Sequence, residues 1–258
     1  MTRHIRYIRF PGPWLVASLL IFPIAVARAA ERVDLLLAFA ADVSRSMDVS
    51  KFKLQRDGYV AGIDNPRVVN AIRSGGTGRI ATCFIEWSGD ASQKLVIDWT
   101  MISDAQSARR FSDGIVEAPR SFADRTSISA GIDFAVKQLE RAPFVSARRV
   151  IDVSGDGTNN SGRDVPSARD QALAKEITIN GLVILSPAPF DWSPEHTNPP
   201  GGLADYYQRN VVGGPGAFVM VAKDFESFGQ AMINKLIREI SLASPRREVA
   251  QRFPLARR

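Results

Sequence analysis

Soft ligands and reactive side chains are scarce here: 258 residues hold one cysteine, Cys83, and two histidines, His4 and His196. A single thiol forms no internal disulfide, so the fold rests on its core, and Cys83 in an apolar strand context reads as a small buried hydrophobe. Zinc chemistry is starved of ligands on the same count. No Gly-x-Ser-x-Gly elbow is present, and the imidazole of His196 lies in a loop, so serine hydrolysis lacks its activated nucleophile and its base. Ser74-Gly75-Gly76-Thr77-Gly78-Arg79 resembles a phosphate cradle, but it precedes a strand and lacks the lysine and hydroxyl of a P-loop; it reads as a turn.

A folded surface of one charge sign is also missing. The formal charge is +6, but Arg3, Arg6, Arg9 and Arg28 lie before residue 30 with no acid among them. Arg246, Arg247, Arg252, Arg257 and Arg258 lie after Pro245 against Glu248 alone. The body between is near neutral, so no basic stripe for nucleic acid is expected. The first 29 residues read as a secretory signal: an arginine-dotted start, an apolar run from Trp14 to Ala27 broken by Pro23, and Ala27-Arg28-Ala29 as a small-x-small cleavage site. That run falls short of the roughly 20 residues needed to span a bilayer. Cleavage after Ala29 and a periplasmic or secreted product are the expectation. The tail 244–258 lacks apolar periodicity and reads as basic and disordered, with a weak contact to anionic envelope polymers or lipid as its conceivable use.

Between these ends, helices and strands alternate. Val33 to Ala41 is an apolar run suited to a strand buried on both faces. Ser50 to Ile63 is helical in pattern, and Asn65-Pro66 starts a short helix through Ile72. Arg79 to Trp87 and Gln93 to Trp99, joined through Ser88-Gly89-Asp90, form an antiparallel hairpin, because so short a link makes no parallel crossover. Helices are expected over Asp104 to Glu117, Ile128 to Glu140, Val165 to Glu176 and Phe225 to Ile240, and strands over Arg148 to Ser154, Ile177 to Leu185 and Ala217 to Val221. This order predicts one α/β domain over residues 31–243, with a mostly parallel sheet, one antiparallel edge strand and helices on both faces. Ser186 to Gly202, with five prolines, Trp192 and His196, reads as a surface loop.

Oxygen ligands concentrate at strand ends. Asp42-Val43-Ser44-Arg45-Ser46 follows the first apolar run, offering a carboxylate and two hydroxyls of the kind magnesium or manganese prefers. Ligands of open parallel sheets bind outside the carboxyl ends of the strands. There, Asp156 lies between Gly155 and Gly157, and Thr126 opens a helix. Asp152 interrupts a strand that should be buried, which calls for a charged partner, an arginine being the expected one. Asp42-x-Ser44-x-Ser46, the distant Thr126 and Asp156-Gly157 resemble the von Willebrand factor A domain. Asp42 to Asp48, Asp124 to Ser129 and Asp152 to Gly157 more narrowly resemble an uncharacterised family of exported bacterial A-domain-like proteins.

The resemblance implies a Rossmann-like sheet of about six strands and a metal-ion-dependent adhesion site. Asp42, Ser44, Ser46, Thr126 and Asp156 would hold a divalent cation, Mg2+ or Mn2+, directly or through water. It also implies a protein partner that offers an acidic side chain to the metal. Arg45 reads as a solvated side chain, and Asp48 and Asn159 as outer supports of the shell. Aspartyl-phosphate phosphatases place a second aspartate where this chain has Ser44, which turns the reading from catalysis to adhesion. An accessory domain that keeps the motif without using metal, and a metal-assisted hydrolase, are the alternatives.

Overall fold

The computed structural model describes residues 30–186 and 193–243. The expected signal segment with its cleavage site, the basic tail and residues 187–192 of the proline-rich loop lie outside the described residues. In chain order the elements are β1 (Glu31–Arg32), β2 (Leu36–Asp42), α1 (Val49–Ile63), α2 (Pro66–Arg73), β3 (Ile80–Trp87), β4 (Gln93–Ile102), α3 (Ala105–Glu117) and α4 (Ile128–Glu140). They continue as β5 (Phe144–Val145), β6 (Arg149–Gly155), α5 (Val165–Leu173), β7 (Ile177–Ile184), α6 (Pro194–Thr197), α7 (Leu203–Asn210), β8 (Val219–Ala222) and α8 (Phe228–Ala243).

Helix starts follow local chemistry. Asp48 caps α1 by accepting from the Lys51 N–H at 2.8 Å, Asn65 caps α2 just before Pro66, and Asp104 with Ser107 forms a capping box on α3. Each such cap satisfies an N–H that the helix leaves orphaned. The central strands are apolar on both faces because both faces are covered: every residue of β2 and β3 is buried.

The six-stranded sheet has the order β4-β3-β2-β6-β7-β8. All pairs are parallel except β3 with β4, as the alternation and the short hairpin link predict. On one face, α1, α2, α3 and α8 cover Leu37, Phe39, Val150 and Leu182. On the other, α4, α5 and α7 cover Ala38, Ala40, Ile151, Val153 and Val183. Burying such a side chain contributes about 1.5–3 kcal/mol. Cys83 is among these buried residues, and burial pushes its thiol well above the ordinary range.

Three local expectations are corrected. Helix α5 ends at Leu173 and not Glu176, because Glu176 takes a left-handed φ of 58°, which no helix continues through. The region after β7 is not only a loop: Pro194–Thr197 form a helical turn that buries His196 and Thr197. Asp152 pairs with a lysine and not an arginine: the Lys235 ammonium lies 2.8 Å from Asp152 Oδ1 and also bonds Glu239, with all three fully buried. Asn180 Nδ2 donates to the same Glu239 at 2.7 Å. Burial, against the pull of Lys235, pushes the Asp152 carboxyl up to about 7.

Candidate metal centre

Strand order reverses between β2 and β6, since the chain places β3 and β4 on one side of β2 and β6, β7 and β8 on the other. The crevice at such a reversal is where open sheets hold ligands, and Asp42 and Asp156 stand at its two lips. Asp42 closes β2 and accepts from the Ser44 N–H on Oδ1 at 2.7 Å, a local turn that aims the next residues outward. The Ser44 and Ser46 hydroxyls are 3.2 Å apart, and Ser46 Oγ donates to Asp156 Oδ1 at 2.6 Å. These four side chains therefore form one cluster, and all are buried.

Thr126 arrives on the loop before α4, which several bonds hold against the crevice. Arg120 Nη2 donates to the carbonyls of Val43 and Ser44, each at 2.8 Å. The Ser121 N–H donates at 2.8 Å to Glu86, whose other oxygen pairs with Arg56. The Arg45 and Ser127 N–H groups donate to the Asp124 and Ser88 carbonyls. From the β6 side, Asn160 Oδ1 accepts from the Thr126 N–H at 2.9 Å. Thr126 is buried, and its hydroxyl meets His196 Nε2 at 3.3 Å without bonding the Asp42 cluster directly. An open cleft of about 320 Å³ lies above, lined by Arg45, Ser46, Asp124, Arg125, Thr126, Asn160, Ser193 and His196.

The electrostatics call for a cation. Asp42 Oδ2 and Asp156 Oδ2 are buried without a hydrogen-bond donor. Burial, reinforced by the neighbouring Asp156 charge, pushes the Asp42 carboxyl up to about 7. Asp156 has an ion pair with Lys51, whose ammonium stands 3.6 Å from Oδ2 and donates to the Ser46 carbonyl at 3.1 Å. Orphaned buried carboxylate oxygens are costly unless a cation or donor reaches them, so the donor set of two carboxylates and three hydroxyls fits a hard divalent cation. Among the described residues, no three His, Cys, Asp or Glu side chains gather as a cage; the hydroxyls are essential to any shell here.

Arg45 is exposed at the rim, as expected. Asp48 is corrected as an outer support of the shell, since it spends its carboxylate on the α1 cap. Asn159 ties its own loop by donating to the carbonyls of Ser161 and Arg163, and its Oδ1 accepts from the Ser129 N–H at 3.3 Å, three residues after Thr126. Lys51, His196 and Asn160 are the neighbours that sequence reasoning missed. A signal for Lys51 exists: it sits in the first turn of α1 with no acid there, against the helix dipole, and such a lysine needs an acid outside its helix. His196 carries none, since its place depends on a chain path no local pattern encodes. Burial holds its imidazole below the ordinary value, while Asp156 pulls the other way.

A family described as "Protein of unknown function (DUF1194)" matches residues 32–244. The chain belongs to this family. No curated protein matches in sequence. Among solved structures, the family member resembles the pilus adhesin SpaC from Lactobacillus rhamnosus GG with a TM-score of 0.57 and 12% identity over 83% of this chain and 31% of that one. Proximal thread matrix protein 1 from the mussel byssus, solved with a zinc-occupied MIDAS motif, gives 0.54 and 14% over 82% and 48%. BatB from Bacteroides thetaiotaomicron gives 0.52 and 18% over 81% and 99%. The chain spans about half the length of the mussel protein and less of the adhesin. Identities this low show a shared fold, and that fold is von Willebrand factor A-like.

Proposed function

We propose that this chain is an exported, non-enzymatic binding module that recognises an acidic protein surface through a divalent cation. Asp42, Ser44, Ser46, Thr126 and Asp156 would hold the ion, Mg2+ or Mn2+, and the ion would supply a Lewis-acidic position for a partner's carboxylate. The chain's own residues hold the donors in place, exclude water from Asp42 and Asp156, and present the Arg45 and Arg125 guanidinium groups beside the cleft. The adhesin and byssal matrix neighbours, one of them with metal in its MIDAS, support the reading. The reading includes an export-type leader cut after Ala29, a periplasmic or secreted product, and one domain over residues 31–243.

The observation that carries the proposal is the pair of fully buried carboxylates, Asp42 and Asp156, each with one oxygen that accepts no hydrogen bond and only Asp156 with an ion pair, to Lys51, beside three buried hydroxyls. Titration calorimetry is expected to show one Mg2+ or Mn2+ site that disappears in Asp42→Ala. Affinity unchanged in that variant would overturn the assignment. A second reading draws on Lys51: its ammonium is a resident cation for Asp156, so the motif could serve an accessory domain without metal. Calorimetry silent for both ions would favour that reading.

A further inference from the structure

Resting on the cation site proposed above, we infer that Lys51 is a tethered competitor for that site: its ammonium and the divalent ion contend for the Asp156 carboxylate, and entry of the ion turns the lysine out. The ammonium stands 3.6 Å from Asp156 Oδ2, an oxygen that accepts no hydrogen bond, and donates to the Ser46 carbonyl at 3.1 Å. It thereby ties the turn after β2 to the turn after β6, the two segments that the ion itself would join. Ser46 Oγ already donates to Asp156 Oδ1 at 2.6 Å, so Oδ2 is the oxygen over which the two cations compete.

Charge decides that both do not stay. An ion at roughly 2.1 Å from that oxygen would lie within about 6 Å of the ammonium. Even at the dielectric of water, repulsion between a divalent and a monovalent cation at that range is worth about a tenfold change in affinity, and a partly dry crevice raises it. The lysine has the means to leave. Its flexible four-carbon stem is 22% exposed where Asp156 is fully buried, and the first turn of α1 holds no acid to retain it. The backbone stays behind, because the Lys51 N–H is fixed to the Asp48 cap at 2.8 Å. By lowering the affinity for the ion alone, the lysine makes loading depend on the partner whose carboxylate completes the shell.

The test is calorimetry of Mn2+ binding to the full chain and to Lys51→Met, joined to labelling of lysine amines by an N-hydroxysuccinimide ester read by mass spectrometry. Lys51→Met is expected to bind Mn2+ about tenfold more tightly or better, and Lys51→Arg, which keeps the charge, no more tightly than wild type. In the wild type, Mn2+ should raise labelling of Lys51 severalfold relative to the exposed Lys53, a change that a lysine acting only through its distant field does not show. Equal affinities for wild type and Lys51→Met, or Lys51 labelling unmoved at saturating Mn2+, overturn the inference and leave the cation-dependent binding module standing. Binding in Lys51→Met alone upholds the inference and favours the accessory reading. Absence of Mn2+ binding from both proteins overturns the inference and the module together. If the variant does not fold, the labelling of the wild type decides.

Discussion

Lys235 is an ammonium at 0% exposure between two carboxylates, and the arrangement is neutral only if one of the acids keeps a proton. Asp152 is the one that burial raises to about 7 from its ordinary 3.8. Because its folded value lies above its unfolded one, the stabilisation is complete below about pH 4 and is lost as pH rises through 7. Asp152→Asn imitates the protonated acid. Urea unfolding should show it within about 1 kcal/mol of wild type near pH 4 and gaining on wild type between about pH 4 and 7. Lys235→Met leaves Glu239 and Asp152 facing each other uncompensated and should cost about 3–5 kcal/mol. A smaller loss for Lys235→Met than for Asp152→Asn would mean that the cluster is not held by the ammonium.

At the scale of elements, α1 and α8 meet at glycine. A Cβ on Gly58 would come within 2.2 Å of the Phe228 ring and 3.1 Å of the Gly229 nitrogen, so the helices touch almost backbone to backbone. Gly58→Leu should destabilise by about 1–3 kcal/mol through overpacking, despite the better helix propensity of leucine. Thermal melts check this. Helix α1 also carries Lys51, so any shift of the crossing would be felt at Asp156. The elements easiest to read in the sequence were those with both a cap and a period: α4 runs from Ile128 to Glu140 as expected because Ser127 caps it and its apolar positions recur at helical spacing. The two-residue strands β1 and β5, the single turn α6 and the two-turn α7 gave no usable period, being too short for one. The motif residues were legible because strand ends expose oxygen donors at fixed positions. Their companions Lys51, Asn160 and His196 were not, since their proximity arises from packing.

For the whole molecule, parallel strands give the domain two unlike poles. β2 and β6 both run toward the crevice, so Asp42 and Asp156 share one pole, while Glu31 and Arg32 pair with Phe144 and Val145 at the other. Helix α8 returns to that far pole, where Arg148, just before β6, donates to the Glu239 carbonyl at 2.9 Å. A biotin placed ahead of Glu31 should therefore leave Mn2+ affinity within about twofold of the free protein, as expected for distant independent sites. Surface-immobilised binding measurements check it, and a tenfold loss would mean that the poles communicate.

Seven residues of β2 separate those poles, about 23 Å at strand rise. The described residues thus begin at 30 and end at 243 toward the face turned away from the crevice. A support coupled at Glu31 would hold the oxygen-lined mouth toward the surroundings, like a socket mounted on a wall.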